Sequence, residues 1–142
     1  MKPTKHARTN FRMLSPFLEA VNASERGHMK FHSPGYMSLS MESLGVTDYK
    51  GRPVFSMTHY GYQNGDLMAD PDMTFAVDFS AGEIDPRTYQ NDYIGIYQEV
   101  YTRDDAGRLL YSRRLRPELD EFLWQWLKNI LDQGFSPEVY DA

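Results

Sequence analysis

Apolar residues return every three or four positions at both ends of the chain and every second position between them. Near the N-terminus, Phe11, Leu14, Phe17, Leu18 and Val21 keep the i, i+3, i+4 rhythm of one helix face. Ser15-Pro16 suits a helix start or restart, a cap followed by a position where the missing N–H is harmless. From residue 28 the period changes to two. Segment 28–32 leads into the turn Ser33-Pro34-Gly35, and segment 36–42 alternates Met37, Leu39 and Met41 with serines. After a turn at 48–53, segment 54–62 reads as a strand rich in β-branched and aromatic residues, and Met73, Phe75, Val77 and Phe79 share one face of another. Residues 80–87 read as a loop. Segment 93–101 reads as a strand with Ile94, Ile96 and Val100 on one face and Tyr93, Tyr97 and Tyr101 on the other. Asp104-Asp105-Ala106-Gly107 then predicts a hairpin turn into 108–113. The last element carries one wide stripe, Leu119, Phe122, Leu123, Trp126, Leu127, Ile130 and Leu131, with Pro117 in its first turn and Gly134 at its end.

Helices that bracket a run of strands, rather than alternate with them, predict an α+β fold. The expected form is an antiparallel sheet of about five to six strands, with the N-terminal and C-terminal helices packed on one face. At 142 residues the length suits one domain, and residues 1–8, which hold Lys2, Lys5 and Arg8, read as a flexible basic arm. Hydrophobic content of 41% with 25% charged residues excludes a mostly disordered chain. There is no cysteine, which excludes disulfides, thiolate metal ligands and a cysteine nucleophile, and fits a reducing cytoplasm. No apolar run approaches the roughly 20 residues that span a bilayer, and the N-terminus lacks the apolar segment of a secretory signal. A net charge of −5 argues against nucleic acid as a partner, because neutralising phosphates needs a cationic surface.

Chemistry concentrates in residues 59–75, HYGYQNGDLMADPDMTF, which read as a strand end, an Asn-Gly turn, a second turn on Asp-Pro-Asp and the start of another strand. His59, Asp66, Asp70 and Asp72 offer oxygen and nitrogen ligands to a divalent metal, though at no EF-hand or metalloprotease spacing. His59 with Asp66 or Glu99 is the one acid–base pairing on offer, while Ser38, Ser40 and Ser56 stand in no nucleophile elbow. The same residues also read as plain turns and a packed strand histidine. Tyr62-Gln63-Asn64 is echoed by Tyr89-Gln90-Asn91, a match that chance also produces and that asks whether the two turns lie side by side at one sheet edge. Ten tyrosines among 14% aromatics exceed the needs of a small core, and tyrosine is favoured at binding surfaces for its buried area and polar tip. Arg108, Arg113, Arg114 and Arg116 flank Leu109-Leu110-Tyr111. They suit either an anion or the chain's own surplus carboxylates.

His59-Tyr60, Gln63 to Met68, Asp70-Pro71-Asp72-Met73, Phe75, Tyr89-Gln90 and Ile96-Tyr97-Gln98-Glu99 carry a resemblance over about residues 35–101. The chain resembles an uncharacterised domain-of-unknown-function family of plasmids, phages and integrative elements. The resemblance implies an accessory protein of a mobile element in a bacterial cytoplasm. Two functions are expected. The first is a non-catalytic module, monomer or homodimer, that binds a protein partner and serves as a counter-defence inhibitor. Its surface would be Tyr60, Tyr62, Gln63, Asn64, Asp66, Asp70, Asp72, Tyr89, Gln90, Tyr93 and Tyr97, with no cofactor. The alternative is a small metal-dependent hydrolase of a phosphate-containing substrate. It would use His59, Asp66 and Glu99 as catalytic groups and His59, Asp66, Asp70 and Asp72 around a divalent metal.

Overall fold

The alternating middle of the chain folds into a single up-and-down meander in the computed structural model, which describes residues 1–141. Strands β1 (His28–Phe31), β2 (Leu39–Thr47), β3 (Pro53–Gln63), β4 (Asp66–Asp78), β5 (Glu83–Asn91) and β6 (Ile96–Glu99) each pair antiparallel with the next. A short strand near the C-terminus, Tyr140–Asp141, adds to the far side of β1. The sheet therefore has seven strands where about five to six were expected. A separate hairpin, β7 (Tyr101–Arg103) with β8 (Leu109–Tyr111), turns at the predicted site; the C-terminal strand is β9.

Helix α1 (Ala7–Ala23) and helix α2 (Leu115–Asp132) both lie on one face of the sheet. Phe31 meets Phe17 of α1 edge to face at 5.0 Å, while His59, two strands away on the same row, lies 5.6 Å from Trp126 of α2. Between sheet and helices, Leu14, Leu18, Phe55, Met57, Phe75, Leu123 and Leu127 are closed to water. Burial of this kind contributes on the order of 2 kcal/mol per large side chain. The end of α2 is fixed by backbone bonds from Phe135 to Ile130 and from Gly134 to Leu131, with Gly134 at φ +86°.

The structure departs from the expected local pattern in several places. Helix α1 opens at Ala7 and runs through Pro16 rather than starting there. Its first turn is served by α2: the buried Asp120 carboxylate accepts the His6 N–H at 3.0 Å, a favourable place for negative charge. Residues 80–87 are not a loop, because β5 begins at Glu83; its apolar signal is interrupted by Pro86 and by a buried aspartate. The expected strand 93–101 is a turn, then β6, then β7. Gly95 at φ +63° ends the turn, and Ile94 is left 63% exposed. Asp70-Pro71-Asp72 makes no second turn. It lies inside β4, where the Asp70–Pro71 peptide is cis and the two residues oppose His59 alone. The expected basic arm lies along α2, with the Arg116 guanidinium donating to Lys2 O at 2.9 Å and the His6 ring stacked 4.4 Å from Trp124.

Candidate functional site: the helix-free face of the sheet

Pleating sends the other half of each strand to the face that no helix covers. Register alignment makes two unbroken rows across all six strands of the meander. One runs His28, Glu42, Ser56, Thr74, Thr88, Glu99; the other runs Lys30, Ser40, Thr58, Asp72, Gln90, Tyr97. At strand spacing this is a strip about 24 Å long. Its middle is floored by small hydroxyl side chains, with Thr74 and Thr88 hydrogen bonded at 2.5 Å. One end rises into a hollow of about 650 Å³, lined by Tyr36, Met37, Tyr60, Tyr62 and Leu67 beside Lys30 and Ser40. A second hollow, of about 400 Å³, lies where the β2–β3 turn and the β7–β8 hairpin meet Arg87 and Glu99.

Four carboxylates belong to this face: Glu42, Asp72 and Glu99 in the rows, and Asp92 in the β5–β6 turn. Among the described residues none of them forms an ion pair with a cation of the chain, although Asp48, Glu83, Asp85, Asp104 and Glu118 all do. Burial raises the Asp72 pKa above the carboxylate norm; Asp92 and Glu42 push it further and the Thr58 hydroxyl opposes them. The Tyr97 phenol is raised by burial and then by Glu99 and Asp72, with Arg87 acting the other way. Asp92 is held low by the Gln90 amide at 2.8 Å and the Ala69 N–H at 2.7 Å.

The residues singled out in sequence divide between this face and other places. Tyr60, Tyr62 and Tyr97 present rings to solvent here, Tyr62 being 75% and Tyr97 58% exposed. Gln90 lies in the second row. Gln63, Asn64 and Asp66 form the tip of the β3–β4 hairpin, where Asn64 at φ +52° and Gly65 at φ +83° make the turn. Tyr93 leans over the same hairpin, and a side chain at Gly61 would meet its hydroxyl at 2.5 Å. The two Tyr-Gln-Asn segments end β3 and β5 on either side of β4, and the second is tied to β4 by Asn91 Nδ2 donating to Asp70 at 2.9 Å and Asp92 N–H donating to Ala69 O at 2.9 Å. Tyr89 faces the helices, edge-on to Phe122 at 5.0 Å.

His59 also faces the helices. It is buried between Trp126 and Phe135, with Nδ1 3.1 Å from the Ser38 carbonyl. Burial lowers its pKa below the usual imidazole value, opposed by that carbonyl and by Asp70. Nδ1–H therefore donates to the carbonyl from a neutral ring. His59, Asp66 and Glu99 thus occupy the core, a hairpin tip and the opposite face, and the structure does not bring them together. Among the described residues, no three His, Asp or Glu side chains stand close enough to hold a metal ion.

One cluster escaped the sequence reading. Asp85 is buried and accepts from Arg116 Nε at 2.9 Å, from Arg52 at 3.0 Å and from the Tyr101 hydroxyl, while Arg52 also holds Asp48 at 2.6 Å. Burial, and then the Asp85 carboxylate it donates to, push the Tyr101 phenol far above its ordinary value. The network locks the β7–β8 hairpin and the β2–β3 turn to the sheet. The arginines from residue 108 onward are largely committed in the same way, Arg108 to Asp104 at 2.7 Å and Arg114 to Glu118 at 2.8 Å. Only the four-residue spacings Asp48–Arg52, Asp104–Arg108 and Arg114–Glu118 are local in sequence; Asp85 joins from 31 residues before Arg116.

Among the described residues no helix is long and apolar enough to cross a membrane. No curated protein and no solved structure matched the chain. Residues 12–136, which hold all of α2 and both rows of the open face, match the family described as domain of unknown function DUF6908, and the chain belongs to that family.

Proposed function

We propose that the protein is a non-catalytic binding module whose helix-free sheet face docks a protein partner. The observation that carries this reading is the pairing of exposed tyrosine rings with a continuous polar floor on one uncovered face. Tyrosine gives large contact area at low entropic cost, and small hydroxyl and amide side chains supply hydrogen bonds to a neighbouring chain. The resemblance to proteins of plasmids, phages and integrative elements supplies the setting: an accessory protein that occupies a host component in the bacterial cytoplasm, in the manner of a counter-defence inhibitor. That setting is an analogy.

The test is selection of a random peptide library on the wild-type protein, with a Tyr60→Ser, Tyr62→Ser, Tyr97→Ser variant as counter-target. Peptides that bind wild type and lose the variant, while both proteins melt at similar temperatures, support the reading. A library that yields no peptide sensitive to the three tyrosines overturns it.

A further inference from the structure

The open face is chemically lopsided, and this restricts what can lie on it. Glu42, Asp72, Asp92 and Glu99 stand on it without an intrachain ion pair, while Lys30 in the second row and Arg87, which lines a hollow with Glu99, are its own positive groups. Away from this face, the buried Asp85 is neutralised by two arginines. Glu42 and Asp92 stand near enough to Asp72 for their charges to act on it, so the face, with more anions than cations, is complementary to positive charge from outside. Phosphate-bearing ligands are repelled by the same groups. A single metal ion does not answer the pattern, since no three of these side chains converge. Cations spaced along an extended chain do: alternate residues of a strand project every 6–7 Å or so, so one short segment presents several charges across the face.

Resting on the protein-binding reading above, we infer that the docked segment is an extended, arginine- or lysine-bearing stretch of the partner protein, its charges over Glu42, Asp72, Asp92 and Glu99 and its stems against Tyr60, Tyr62 and Tyr97. The Tyr97 ring, beside Asp72 and Glu99, favours this occupant over a merely polar one. A guanidinium gains from a ring face as well as from a carboxylate, and its methylenes cover apolar edge. The small floor residues Ser56, Thr58, Thr74 and Thr88 leave room for a backbone to lie close to the sheet.

The composition of the peptides selected above is the first readout. The direct probe is a synthetic peptide of about nine residues with arginine at every second position, compared by fluorescence anisotropy with its glutamate counterpart. The arginine peptide should bind and the glutamate peptide should not. Glu42→Gln with Glu99→Gln should weaken binding about tenfold, while Glu19→Gln with Asp132→Asn, an equal charge change on the two helices, should leave it nearly unchanged. Moving from about 0.1 M to 1 M salt should weaken binding further, as screening shortens from about 10 Å to 3 Å. Tyrosine-dependent peptides that prove neutral or acidic overturn this inference and leave the binding reading standing. The absence of any tyrosine-dependent peptide overturns both. Arginine-peptide binding that responds equally to the two charge-change pairs also overturns the inference, because it reports bulk charge alone.

Discussion

Gly61 shows how one missing Cβ positions a neighbouring aromatic. The Tyr93 hydroxyl occupies the space that a side chain at Gly61 would need, so the β5–β6 turn settles onto the β3–β4 hairpin. Gly61→Ala should displace the Tyr93 ring and cost about 1 kcal/mol, an overpacking effect. Adding Tyr93→Phe removes the offending atom, so a double-mutant cycle by chemical denaturation should return part of the loss. Asp85 is the opposite kind of position, one where a side chain is indispensable. Asp85→Asn leaves the guanidiniums of Arg52 and Arg116 under-compensated in a mostly buried site and should destabilise by about 3 kcal/mol in urea unfolding. Which tyrosines would reach solvent was legible only for some. Tyr60, Tyr62 and Tyr97 followed simple alternation, whereas Tyr89 lies beyond a register shift between Thr74 and Phe75 and faces the helices. A bulge changes sidedness without changing composition, so no local pattern announces it.

Among the elements, periodicity was sufficient wherever one face meets apolar core. The α2 stripe and the rows through Met41, Met57 and Met73 were readable for that reason. It failed at β5, whose residues include Asp-Pro and whose burial is bought partly by ions rather than hydrocarbon. Glu42 was overlooked because its significance lies in cross-strand neighbours far away in the chain, Asp72 above all. The C-terminal cap of α2 was foreseeable from Gly134 alone. Gly134→Ala places a Cβ in the left-handed region and near the Ser33 hydroxyl, and should cost about 1–2 kcal/mol by thermal unfolding. The β7–β8 hairpin depends on fewer contacts than the sheet. Tyr101→Phe deletes its hydroxyl link to Asp85, so amide exchange within Tyr101–Arg103 and Leu109–Tyr111 should quicken while exchange in β3 and β4 stays unchanged.

Across the whole molecule the shifted groups combine into a pH profile with alternating slope. His59 is held below 6.5, so as pH falls through 6.5 the unfolded chain takes up the proton first and stability declines. Asp72 is held above 3.8 by its burial and by its acidic neighbours, so the folded protein protonates first and stability recovers as pH falls through that raised value toward 3.8. Asp48, kept below 3.8 by Arg52 despite the cost of burial, contributes stability above 3.8 that is lost as pH falls through its folded value. Urea unfolding at successive pH values should show the decline flattened by His59→Phe and the recovery abolished by Asp72→Asn. Asp72→Asn should also stabilise the protein at neutral pH, the sign expected of a carboxylate kept for contact rather than for folding. A flat profile in wild type would contradict all three assignments.

The order of the strands also sets the order in which they can assemble. Five successive pairings join β1 to β6, so each hairpin closes a short loop and the meander can zip outward from any of them. The seam between β1 and β9 is different in kind. His32 and Asp141, bonded at 2.8 Å, are 109 residues apart, and the loop-closure entropy of that seam is offset only after the helices have docked. Until then β1 is a bare edge with Met29 and Phe31 beside it, able to pair with another copy. Concentration during refolding should therefore matter more than the stability of the finished fold would suggest. A chain shortened by its last few residues should form dimers through β1 while keeping the rest of the sheet intact.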